Sequence, residues 1–177
     1  MAAMKRLLYS ACALLMTLPV GARATELADV NAGLNTLSQL MNKITGDTIM
    51  AVVYDPANAT SVADAQEIKK IVAGGIRMPD GSKLSAQLVG INELGKLSRA
   101  RIAFLTPGLQ ADFTDIGTAT SAASILTIST DIECVRAGKC IIGVEAKPVL
   151  TIYYSKQAAD NAKIEFTQAF SMLVKQP

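Results

Sequence analysis

Three apolar, β-prone runs set the limits on what this chain can become. Thr48–Tyr54 (TIMAVVY), Ile102–Leu105 (IAFL) and 125–129 (ILTIS) lack the polar–apolar alternation of a strand with one wet face. Strands of that kind are buried on both sides, which means a mostly parallel sheet with helices over each face. The segments between them supply the helices. Val30, Leu34, Leu37, Met41 and Ile44 form one helical stripe, capped by Asp29 or Asn31 and stopped at Gly46. The stripe fits a helix laid on the sheet better than a short dimeric coiled-coil seam. Ser61 with Asp64 reads as a capping-box variant ahead of Ala65, Ile68 and Val72, and Gly74-Gly75 ends that helix.

Further along, Pro79-Asp80-Gly81 is a turn, 84–91 a second strand and 92–97 a connector. Leu109, Phe113 and Ile116 mark a helix, and the small, polar GTATSAAS stretch (117–124) reads as a loop. Residues 140–144 and 149–154 read as two strands around Pro148, a short antiparallel excursion. Ser155 opens a closing helix with Ala158, Ala162, Phe166, Ala169, Phe170 and Leu173 on one face. The expected fold is α/β: a single Rossmann-like three-layer domain with a mostly parallel sheet and a late antiparallel strand pair. Half the residues are hydrophobic and only 5% aromatic, so the core is aliphatic.

The beginning of the chain reads as an export signal. Lys5 and Arg6 precede an apolar stretch at 7–20, and Ala22-Arg23-Ala24 places small residues at −3 and −1 of a cleavage point. The apolar stretch is shorter than the roughly 20 residues needed to span a bilayer, so no stable membrane insertion is expected after processing. Ser10-Ala11-Cys12 fits part of a lipoprotein signal, but Tyr9 stands where Leu is expected. Cleavage after Ala24 gives a signal peptide at 1–24, a periplasmic domain at 25–177, and removal of Lys5, Arg6 and Arg23. The remainder carries 14 basic against 15 acidic residues, without a basic stripe, so nucleic-acid binding loses its electrostatic basis.

Chemistry is sparse. The chain has no histidine, which excludes Ser-His-Asp and Cys-His catalysis and His-ligated zinc. Asp112 and Asp115 read as a solvated helix face, and Gly74-Gly75 follows a helix rather than a strand, so no phosphate loop is assembled. The reading is of a non-enzyme with no metal or cofactor. Beyond Cys12, the cysteines are Cys134 and Cys140, which in an oxidising compartment form one disulfide. A structural staple, a reversible redox pair, and bridging within or between chains all stay open at this stage. In open α/β sheets ligands sit at the carboxyl ends of the strands. Three strand ends carry polar turns here, and their residues Asp55, Asn58, Thr106, Ser129, Thr130 and Asp131 are the candidate ligand or partner cleft.

The layout of the mature chain resembles the YfiR/HmsC type of small periplasmic proteins over about residues 30–175. The similar features are TIMAVVYDP, RARIAFLT before a helix, ILTISTD, ECVRAGKCIIGV and PVLTIYYSKQAADNAKIEF. The resemblance implies a Rossmann-like periplasmic domain, often a homodimer. Such a domain represses an inner-membrane diguanylate cyclase by protein contact and so lowers cyclic-di-GMP signalling and biofilm formation. It also matches Cys134 and Cys140 to a late disulfide hairpin. The chain departs from the family at Thr48 and Ile49, where an aromatic–Pro pair is usual, and at Gly138-Lys139, where Gly-Gly is usual. A single-lobe solute-binding component of an ABC-type transport system is the alternative.

Overall fold

The computed structural model describes residues 24–176; the signal peptide reading, apart from Ala24, and Cys12 lie outside them. Six strands form one sheet in the order β2-β1-β3-β4-β5-β6. They are β1 (Thr48–Tyr54), β2 (Leu84–Gly90), β3 (Ile102–Leu105), β4 (Leu126–Ser129), β5 (Ile142–Glu145) and β6 (Thr151–Tyr154). The first five are mutually parallel and β6 returns antiparallel to β5, with Ile142 opposite Tyr154 and Glu145 opposite Thr151. The α/β fold expected from the apolar runs is the observed one, including the late antiparallel pair.

Alternate residues of the central strands feed two cores. Met50, Val52, Ile102, Phe104, Leu126, Ile128, Ile142 and Val144 face α1 (Leu27–Asn35) and α2 (Ala59–Ala73). Ala51, Val53, Ala103 and Leu105 face a 3-10 segment (Ile91–Arg99), α3 (Phe113–Ala122) and α4 (Ile132–Arg136). Two further helices, α5 (Lys156–Ala162) and α6 (Gln168–Leu173), close the chain. Packing is tightest where side chains are smallest. A Cβ on Gly33 of α1 would lie 2.6 Å from Ile128 Cγ2, and one on Gly143 would lie 2.8 Å from Val135 Cγ2.

Three local expectations are corrected. The first helix stops at Asn35 instead of reaching Gly46. A 3-10 turn (Thr36–Gln39) follows, and Leu40 then bridges to Phe166, with Met41 N–H donating to Glu165 O. This antiparallel contact recruits backbone groups that a longer helix would hold internally. The GTATSAAS stretch is helical through Ala122. Thr118 and Thr120 hydroxyls donate to the carbonyls of Thr114 and Ile116, and Ile116 and Thr120 are buried, so tertiary packing overrides weak propensity. The single closing helix is two, because Lys163 adopts a left-handed conformation (φ 56°) and sends Phe166 into the bridge to Leu40. Between β4 and β5 the chain forms α4, capped by Asp131, whose Oδ1 accepts from Glu133 N–H.

Cys134 of α4 and Cys140, just before β5, form a disulfide within the chain, with Cα atoms 5.2 Å apart. Both are fully buried. The reversal between them is possible because Gly138 takes φ 65°.

Candidate functional site

The order β2-β1-β3 places a topological switch point between β1 and β3, where the chain turns first to one side of β1 and then to the other. The carboxyl ends of β1, β3 and β4 meet along this rim, and all six sequence-predicted residues lie on it. Asp55 follows β1; its Oδ1 accepts from Ala57 N–H at 2.8 Å, and its own N–H donates to Ser61 Oγ at 2.9 Å. Asn58, and not Ser61, caps α2: its Oδ1 accepts from the N–H groups of Thr60 and Ser61. Ser61 is instead buried inside the first turn, where its hydroxyl lies 2.6 Å from Thr106 Oγ1. Thr106, fully buried at the end of β3, donates to Val53 O at 3.1 Å. This relay adds side-chain bonds to the backbone bond from Thr106 N–H to Val53 O that already joins the β1 and β3 ends.

The β3 and β4 ends are tied in the same way. Ser129 Oγ donates to Leu105 O at 3.2 Å and accepts from Asp131 N–H at 3.0 Å. Gln110, beyond β3, donates to Asp131 Oδ2. Gly108 (φ 89°) lies so close to Asn58 that a Cβ there would be 2.7 Å from Nδ2. Thr130 completes the row, with its hydroxyl 3.2 Å from that of Thr25.

Thr25, Asp64 and Gln110 are rim residues that the sequence reading did not place there. Thr25 N–H donates to Asp64 Oδ1 at 2.6 Å, and its hydroxyl donates to Oδ2 at 2.9 Å. The partners are 39 and 105 residues away in the chain, and local pattern carries no signal for contacts of that span. Burial pushes the Asp64 carboxyl above its ordinary value, against the lowering effect of the two Thr25 bonds. A shallow hollow of about 170 Å³ opens beside it, lined by Ala24, Thr60, Ala63, Asp64, Glu67 and Pro107.

Chemically, the rim is a polar surface whose groups are already bonded to one another. A helix start with free N–H groups attracts an anion. At α2 the side chain of Asn58 occupies those of Thr60 and Ser61, and at α4 Asp131 occupies that of Glu133. An incoming small ligand would have to displace these bonds.

No family model matches the chain, and no curated protein does so by sequence. Solved structures do resemble it. One is described as the ABC domain in complex with L-Trp from Streptococcus pneumonia, with a TM-score of 0.57 and 12% identity, over 82% of this chain and 59% of that one. Another is a conserved domain protein from Vibrio cholerae O1 biovar eltor, with a TM-score of 0.61 and 13% identity, over 86% of this chain and 60% of that one. The likeness is one of fold: this chain spans about three-fifths of the length of each.

Proposed function

We propose that this chain is an exported, non-catalytic regulator that binds the periplasmic part of an inner-membrane diguanylate cyclase and favours its less active state. The effect would be lower cyclic-di-GMP signalling and less biofilm. The observation that carries the reading is an exposed apolar edge. Val149 and Leu150, leading into β6, are 72% and 57% exposed; Met172 and Leu173 of α6 are 74% and 86% exposed. The bridge between Tyr153 and Lys175 lays the residues after α6 alongside β6, bringing both pairs to the same margin of the sheet. Large apolar side chains gathered at one margin mark a protein-contact surface more often than a small-molecule site. The resemblance to YfiR/HmsC-type proteins supports the choice of partner, and the self-bonded rim supports contact over chemistry. Such a protein acts by binding one state of its target more tightly than the other.

The test is capture from the cell envelope. Cross-linked wild-type protein should recover a membrane-bound diguanylate cyclase, and the Leu150→Asp, Leu173→Asp double variant should not. A folded wild-type protein that recovers no such cyclase would sink the proposal.

A second reading is a single-lobe solute-binding component of an ABC-type transport system. The fold likeness to the L-Trp-bound ABC domain favours it. It places a small ligand at the β1/β3 switch point, where the Asn58 and Ser61 bonds would have to open. A saturable rise in melting temperature with L-Trp or another amino acid would support this reading; flat curves across such a panel would remove it.

A further inference from the structure

The residues just before α1 hold a feature that the proposed regulatory role does not use. Thr25 is only 2% exposed, while Ala24 before it is exposed. Thr25 presents both its backbone nitrogen and its hydroxyl to the two oxygens of Asp64, at 2.6 and 2.9 Å. Asp64 is 5% exposed on the inner side of α2. The charged groups acting on it are Asp29 of α1 and Glu67 of its own helix, both carboxylates that raise its pKa further. A buried carboxylate with acidic neighbours is costly to ionise, and a cation against it relieves that cost. The nitrogen already touching Asp64 belongs to the residue that follows the expected cleavage point.

We propose that hydrolysis of the Ala24–Thr25 peptide bond turns this hydrogen bond into an ion pair, so that removal of the leader locks the mature amino terminus onto α2 and the β4 end. An endopeptidase accepting small residues at −3 and −1 adds water across the amide. Ala24 leaves with the new carboxylate, and the Thr25 nitrogen takes up a proton to become an α-ammonium against Asp64 Oδ1. The ammonium has three donors where the amide had one. Ala24 is one wall of the hollow beside Asp64, so its departure opens space for water and the Glu67 carboxylate to meet the other two. Thr25 is buried in the folded domain, so the bond is cut while the chain is extended and the new terminus docks as the domain folds. The inference rests on the export reading and not on the identity of the partner.

The experiment compares the chain from Thr25 onward, which carries every described element, with a free amine and with an Nα-acetyl group, each with Asp64 intact and as Asp64→Asn. At pH 7 the free-amine form should melt about 3–8 °C above the acetylated form, and the gap should close in the Asp64→Asn pair. In the folded protein the amine should titrate above the approximately 7.7–8.0 of an ordinary terminus. A raised amine pKa stabilises fully below the unfolded value, so the gap should persist at pH 7 and vanish as pH rises through the folded value. Equal melting of the two Asp64 forms, or an amine that titrates at the ordinary value, overturns the proposal. The amine titration needs only the wild-type chain and decides the matter even if Asp64→Asn fails to fold. Terminal sequencing of the exported protein should begin at Thr25, and any other start also overturns it.

Discussion

At Gly33 the difference between a hydrogen and a methyl decides how closely α1 approaches the sheet. A Cβ there would lie 2.6 Å from Ile128 Cγ2; Gly33 is buried, and Ile128 belongs to the larger core. Gly33→Ala should therefore destabilise by about 1–3 kcal/mol through overpacking, even though Ala is the better helix former. The test is coupling: Ile128→Ala should cost less in the Gly33→Ala background than alone, and additive losses would show that the two sites do not meet. Asp80 governs a second local feature. Its carboxylate accepts from the Ser82 hydroxyl and N–H at 2.6 and 3.0 Å and from Gly46 N–H at 3.0 Å. The Ser82 hydroxyl is the largest of the influences that lower its pKa to about 2. A depressed carboxylate pKa adds stability above the unfolded value near 4, and that stability is lost as pH falls toward about 2. A carboxyl resonance with a midpoint close to 4 would contradict the clasp.

Among the elements, the α4–β5 reversal is the one held covalently. The Cys134–Cys140 bridge closes a short loop, so replacing both with alanine should lower stability by about 2 kcal/mol, read by denaturant unfolding. A loss near zero would mean that Gly138 and the Lys139 and Cys140 N–H bonds to Cys134 O hold the turn alone. At this scale the sequence was legible where burial repeats along the chain. TIMAVVY, IAFL and ILTIS read as buried strands because every position packs on one face or the other. It was misleading where one distant contact decides. Leu40 leaves helical geometry to meet Phe166, and Phe166 stacks on Phe170 and edges onto Tyr154 at centroid distances of 4.6 and 5.3 Å. The break at Lys163 cannot be seen without those partners, nor the helix through GTATSAAS without the burial of Ile116 and Thr120. The rim was half legible. Turn chemistry marked Asp55, Asn58, Thr106, Ser129, Thr130 and Asp131, but Thr25 and Asp64 join it through contacts that no local pattern encodes.

For the molecule as a whole, the switch-point rim and the β6 margin have different characters. The switch-point rim is polar, and its side chains are bonded to one another. The β6 margin is apolar and open, with Val149, Leu150, Met172 and Leu173 exposed. Among the described residues no helix is long and apolar enough to cross a membrane. Aspartate at Leu150 and Leu173 should leave the fold and its melting temperature nearly unchanged, because those side chains face solvent in the free protein. The most direct measurement is the affinity of this folded double variant, beside wild type, for the isolated periplasmic part of the captured cyclase. Wild type should bind saturably, and the variant should lose at least tenfold in affinity, or about 1.4 kcal/mol. Equal affinities for the two proteins would contradict it.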